Sequence, residues 1–170
     1  ENLLKEALGH VNERVYLQSK SVEGQTGMGA TVVSAWVFDD RIHIIHAGDS
    51  RAYWFDGQRL EQLTVDHSVS NDFKDADQMN EKIRHMVTRA VGTEDTIRGD
   101  YQSMPFTDEG TLLLCSDGLS NEVTNEQIEA VLQQYKLPVQ IADTLMDQAK
   151  AHGGKDNITF ALLKRKEVAL

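Results

Sequence analysis

Residues 111–119 read T-L-L-L-C-S-D-G-L. Residues 112–115 form an unbroken apolar run, short enough and sharply enough bounded to be a strand buried on both faces. The run stops at Ser116-Asp117-Gly118. Gly118 lets the chain turn where a side chain would clash. Asp117 therefore stands at the mouth of a buried strand, at the rim of the core. A carboxylate there needs a partner, because an unpaired buried charge is costly. One reading is a turn residue that bonds nearby amides. The other is a metal ligand, which needs a second carboxylate to converge on it. Asp156, in Gly153-Gly154-Lys155-Asp156-Asn157 and just before the strand-like 158–163, is the best-placed partner.

With 170 residues the chain fits one domain and is long enough for a sizeable core. Its 27 acidic residues against 17 basic ones give a formal net charge of −10. That balance argues against a general nucleic-acid binder and is compatible with divalent cations. The single Cys115 lies inside the apolar run, so it reads as core. One cysteine forms no internal disulfide, which fits a reducing compartment, and a cytoplasmic protein is expected. No apolar stretch approaches the ~18 residues of a membrane span, and no signal peptide is visible.

Residues 1–20 place Leu4, Ala7, Leu8, Val11 and Val15 on one helical face. The glycine-rich 25–30 resembles the start of a dinucleotide fingerprint but lacks its third glycine and leads into a strand. A tight entry, backbone close to backbone, is preferred. Residues 31–38 and 41–47 read as strands joined by Asp39-Asp40. Apolar residues on both faces of the first suggest a sheet covered on both sides. His43 and His46 are an odd number apart and point to opposite faces, which disfavours a zinc site built on that pair. After Gly48-Asp49-Ser50, residues 51–55 and 58–63 make a hairpin, with Asp56-Gly57 expected to form a type I′ turn. Asp49 lies at a tip between strands, where it serves either as a turn carboxylate or in function.

Residues 64–81 are polar and read as a surface flap. The acidic run Asp72, Asp75, Asp77 lacks the glycine and closing Glu of a calcium loop. A helical turn is expected within 82–92 and a strand over 101–106. Thr124 and Gln127 have the spacing of a capping box, followed by Ile128, Val131, Leu132 and Tyr135. Pro138 suits a first helical position, with Ile141, Ala142, Leu145, Met146 and Ala149 as the second stripe. Gly153-Gly154 stops that helix. The remainder, 164–170, is a charged tail. Strands first and a helix pair late give an α+β domain with layered sheets.

Asp49, Asp117 and Asp156 share one design, each beside a glycine or small residue at the end of a strand-like segment. Carboxylates with water suit hard cations such as Mg²⁺ and Mn²⁺. Two such ions stabilise both oxygens of an in-line phosphoryl displacement. No His or Cys constellation suited to zinc is legible, and no phosphate-cradling P-loop motif is present.

The ordered set G-M-G-A-T (27–31), G-D-S-R-A-Y (48–53), D-H-S (66–68), T-R-A-V-G (88–92), L-L-C-S-D-G-L (113–119) and G-G-K-D-N-I-T (153–159) resembles the type 2C metal-dependent serine/threonine protein phosphatases of the bacterial branch. The resemblance implies a central antiparallel β-sandwich flanked by helices, in αββα layers. It implies hydrolysis of phosphoserine and phosphothreonine on proteins by a metal-bound water, with two Mn²⁺ or Mg²⁺ ions and a third, weaker one. Asp117 and Asp156 match ligands of the dinuclear pair. Asp49, with Asp117 shared, matches the carboxylate of the third ion, and Asn157 would support the ligands. No residue of the chain matches a side chain acting directly as acid or base. The implied partner is a phosphorylated protein, in signalling opposed to a Ser/Thr kinase, without nucleic acid or membrane. The family's first strands, with a phosphate-contacting Arg and a metal-bridging Asp-Gly-x-Gly-Gly segment, have no counterpart in this sequence. Weak or no catalysis is therefore expected of these 170 residues alone. A pseudo-phosphatase that binds phosphoproteins without turnover is the alternative, and a purely structural or regulatory module a third.

Overall fold

The computed structural model describes residues 1–73, 79–80, 83 and 86–165. In chain order the elements are α1 (Asn2–Ser21), β1 (Val32–Phe38), β2 (Arg41–Ala47), β3 (Arg51–Phe55), β4 (Leu60–Gln62), α2 (Val69–Asp72), β5 (Asp100–Pro105), β6 (Thr111–Cys115), α3 (Asp117–Ser120), α4 (Asn125–Gln134), α5 (Pro138–Ala151) and β7 (Phe160–Lys164). They fall into two compact units. One comprises Glu1–Phe38, Ile42–Ser50 and Val65–Met104; the other comprises Asp39–Arg41, Arg51–Thr64 and Pro105–Leu170. The class is α+β, antiparallel sheets flanked by helices, as the sequence predicts. Residues 74–78 and 81 of the expected flap, with Asp75 and Asp77 of the acidic run, residues 82, 84 and 85 of the segment expected to hold a helical turn, and residues 166–170 of the charged tail lie outside the described residues.

In the first unit, the strands order β1-β2-β5. Between β1 and β2, Asp39 and Asp40, which are counted with the second unit, both take positive φ, 48° and 57°, as the two-residue type I′ turn demands. Leu8 of α1 packs with Ile45 of β2 and with Val91. Of the expected stripe, Leu4, Leu8 and Val15 pack in this cluster. Leu8, Asn12 and Ser19 are buried, whereas Ala7 and Val11 are exposed. Asn12 adds a polar residue to the buried face. Its Nδ2 donates to Glu94 O (3.0 Å), and its Oδ1 accepts from Gly92 N–H (2.8 Å). Both ends of a buried amide are thus satisfied by one distant loop.

The glycine-rich entry is tight, as expected. A Cβ on Gly29 would lie 2.8 Å from Thr93 Cγ2 and 3.0 Å from Val91 O. The backbones of Ala30 and Val91 exchange both hydrogen bonds there. The expectation that β1 is covered on both faces fails, since Trp36 is 47% and Phe38 61% exposed. β2, the middle strand, is the one buried on both faces, with Ile42, Ile44, Ile45 and Ala47.

The second unit holds the sheet β4-β3-β6-β7, every pair antiparallel. β6 lies in its interior, with Leu113 opposite Tyr53 on one side and Leu162 on the other. Leu112 and Leu113 point to opposite faces and are both buried. The apolar run is thus a strand sealed on both faces, as expected. Tyr53, Leu113 and Cys115 pack with Ile128, Val131 and Leu132 of α4 and with Ile141 and Leu145 of α5. Each fully buried aliphatic side chain of this set contributes about 1.5–3 kcal/mol. The β3–β4 hairpin turns one residue later than expected. Gly57 takes φ +101°, with no positive φ at Gln58, the pattern of a type II′ turn. The Asp56 carboxylate braces it by accepting from Gln58 N–H and Arg59 N–H. No helix among the described residues is long and apolar enough to cross a membrane.

Candidate metal-binding carboxylates and a histidine network

In the second unit, β6 delivers the chain to Ser116 and directly into the single turn α3, where a loop was expected. Ser116 N–H donates to Thr159 O (2.9 Å). Its hydroxyl donates to Asn157 O (2.9 Å) and accepts from Thr159 N–H (3.1 Å). These bonds carry the β6–β7 ladder past the end of both strands. Gly118 closes the gap. A Cβ there would lie 2.4 Å from Asn157 O and 3.3 Å from the carbonyl carbon of Asp156. The segments that carry Asp117 and Asp156 are therefore in backbone contact.

Asp117 is half-buried and accepts a bond from Asn121 Nδ2 (3.2 Å). Asp156 is exposed, and its Oδ1 accepts from Asn157 N–H (2.6 Å). Neither carboxylate is sealed in the core. Asn157, expected to support the ligands, touches the Asp117 segment through its backbone carbonyl. Oxygen donors on abutting segments, open to solvent, fit a hard divalent cation in donor chemistry.

Asp49 belongs to the first unit. It follows Gly48, which has φ +112° and packs so closely on Thr31 that a Cβ would lie 2.5 Å from Thr31 Cβ. His67 grips Gly48 twice. His67 N–H donates to Gly48 O (3.0 Å), and Gly48 N–H donates to His67 Nδ1 (3.0 Å). A backbone donor at Nδ1 leaves the proton of a neutral imidazole on Nε2. A proton on Nε2 goes to Asp100 Oδ2 (3.2 Å), because Arg89 Nη1, 2.9 Å from the same nitrogen, is itself a donor and cannot accept it. Arg89 donates to Asp100 Oδ1 (3.0 Å) and to Arg98 O (3.0 Å). His46 stacks on His67 with ring centroids 4.7 Å apart, and its Nε2 donates to Val65 O (3.0 Å).

Burial depresses the pKa of His67; the Asp100 bond opposes this, and the Arg89 charge reinforces it. For Asp100, burial alone would raise the pKa. The bonds from His67 and Arg89, with the guanidinium charge, outweigh it and leave the value lowered. A neutral His67 beside an ionised Asp100 follows from both.

This network escaped the sequence reading, which found no His constellation. His46, His67 and Asp100 offer ligand atoms within 4.8 Å of one another. Arg89 Nη1, however, sits 2.9 Å from His67 Nε2, and Gly48 N–H occupies Nδ1. A cation would have to displace one of them. The cluster is better suited to bracing backbone than to coordination. The signals were the D-H-S and T-R-A-V-G segments, visible as motifs but without a role. His43, on the other face of β2 as expected, bonds Tyr101 Oη through Nδ1 (2.7 Å).

The sequence profile described as Protein phosphatase 2C matches residues 1–158, and the chain belongs to that family. It is 35% identical over 171 residues to the serine/threonine phosphatase stp of Listeria monocytogenes, which covers 97% of this chain and 68% of the relative. It is 30% identical to the protein phosphatase PhpP of Streptococcus pneumoniae, over 92% of this chain and 65% of the relative. The crystal structure of the serine/threonine phosphatase Stp1 from Staphylococcus aureus superposes with a TM-score of 0.88 at 31% identity, covering 97% of this chain and 67% of that one. These relatives lend no support to a binding module without turnover.

Proposed function

We propose that Asp117 and Asp156 hold a divalent cation for hydrolysis of phosphoserine and phosphothreonine on protein substrates, with Asp49 serving a weaker ion. The observation that carries this reading is the contact of Gly118 with the Asn157 carbonyl, which keeps the two carboxylate-bearing segments together. Bound there, Mn²⁺ or Mg²⁺ supplies positive charge for activating water and stabilising the phosphoryl oxygens. The chain's own part is to keep Asp117 at the end of a strand that cannot shift, because β6 is hydrogen-bonded on both sides. The Ser116 bonds to Asn157 and Thr159 fix the facing segment in the same register. Asn121 restrains the Asp117 carboxylate. The substrate is the product of a Ser/Thr kinase in the cytoplasm.

The test is hydrolysis of a phosphopeptide against Mn²⁺ concentration by the protein that carries these residues, with Asp117→Asn and Asp156→Asn compared. Each variant should lose activity by at least the roughly 10–100-fold typical of groups that merely support a metal ligand. Calorimetric Mn²⁺ affinity should fall in parallel. Unchanged metal affinity in both variants would remove the assignment.

A further inference from the structure

We infer that His67 is a positioning residue for Asp49: it holds the Gly48–Asp49 backbone in place and is itself oriented by Asp100. The inference rests on the reading of Asp49 as a metal ligand.

Gly48 is fixed on three sides. Its positive φ and its contact with Thr31 leave no room for a side chain. Its carbonyl and its N–H are both taken by His67, at 3.0 Å each. The Nδ1 bond holds the Ala47–Gly48 peptide unit and the His67 N–H bond holds the Gly48–Asp49 unit, so the backbone is held on both sides of Gly48. The peptide so held leads directly into Asp49. Thr31 Oγ1 bonds Ser50 Oγ (2.8 Å) and steadies the far side of Asp49. His67 serves only in one tautomer, with Nδ1 free to accept. Asp100 selects it by accepting from Nε2. Arg89 keeps Asp100 ionised and aimed. His67 has a side chain only 4% exposed, and the flat stacking on His46 stops ring rotation. Buried apparatus of this completeness is more than a turn needs, since Gly48 already adopts its φ without strain. What it adds is a fixed direction for the next residue.

The chemistry of the variants separates positioning from bulk stability. His67→Asn places an amide oxygen where Nδ1 accepts, so it restores the Gly48 bond while losing Asp100. His67→Leu removes the acceptor. Two readouts apply to the full protein. One is hydrogen exchange of the Gly48 amide without metal. The other is the Mn²⁺ concentration for half-maximal binding at the weaker site, by calorimetry. In His67→Leu, Gly48 exchange should speed up at least tenfold and half-saturation should rise about tenfold. His67→Asn should recover most of both. Asp100→Ala, at a carboxylate 46% exposed, should give an intermediate result. In an Asp49→Asn background, His67→Leu should cause no further loss of Mn²⁺ binding, because the group being positioned is gone.

Unaltered Gly48 exchange in both His67→Leu and Asp100→Ala would overturn the clamp. Full additivity of His67→Leu with Asp49→Asn would overturn positioning. Asp49→Asn with native Mn²⁺ binding would instead remove Asp49 as a ligand, an outcome read from that single variant alone.

Discussion

At Gly118 the absence of a side chain decides the site. The space a Cβ would fill is occupied by a backbone carbonyl, which cannot rotate away as a flexible side chain would. Gly118→Ala must therefore push residues 156–157 from the end of β6 or bend α3. Overpacking of this kind costs about 1–3 kcal/mol. We expect a lower urea midpoint with an unchanged slope, and Mn²⁺ affinity reduced by more than stability alone explains. Native affinity in the folded variant would mean the contact does not set the carboxylate spacing. The sequence made this glycine legible as a turn residue at a strand end. It did not make its neighbour legible, because the clash is with a residue far along the chain. The His67 network was hidden for the same reason. Strands β2 and β5 and the loops that carry Gly48, His67 and Arg89 supply its members, and no periodicity links them.

Elements that carry their own boundary signals were readable. α4 begins where Thr124 and Gln127 predict, with Gln127 N–H donating to Thr124 Oγ1 (3.3 Å) and Thr124 N–H donating to Gln127 Oε1 (2.9 Å). α5 starts on Pro138 and ends before Gly153, which has φ +135°. Thr124→Ala removes one half of the capping box. The expected cost is about 1 kcal/mol, read as a shift in urea midpoint with metal affinity intact. Thr124→Ser should restore it, and equal stability of Thr124→Ala and wild type would show the cap to be redundant. β1 was misread at the same scale. Its apolar residues on both faces suggested burial, but the strand flanks β2 and leaves Trp36 and Phe38 exposed. Composition tells which residues prefer an apolar neighbour, not whether the described chain provides one. In α1 the expected Leu4, Leu8 and Val15 face the core, but Asn12, a polar residue, lies in the buried stripe through its two loop bonds, which no apolar pattern signals.

Over the whole molecule, the class of fold was legible because the apolar run at β6, the late helix pair and the ordered glycine–aspartate segments agree with one another. The response to pH was not legible, since it depends on which histidine is buried. His67 has its folded pKa depressed below the ordinary 6.5, chiefly by burial. As pH falls through 6.5, the unfolded chain takes up a proton at this position before the folded one does. The unfolded state then binds more protons, so stability rises with pH across that window and falls on acidification. The contribution is fully present above 6.5 and declines toward the folded pKa. Asp100, lowered from 3.8, acts in the same direction further down: its contribution holds above 3.8 and is lost as pH falls through the folded value. Urea midpoints measured at pH 7.5 and 5.5 should drop on acidification in the wild type. The drop should shrink in His67→Asn, which has no proton to take up at that position. An undiminished drop in that variant would transfer the effect to the other histidines and deny His67 its neutral, buried state.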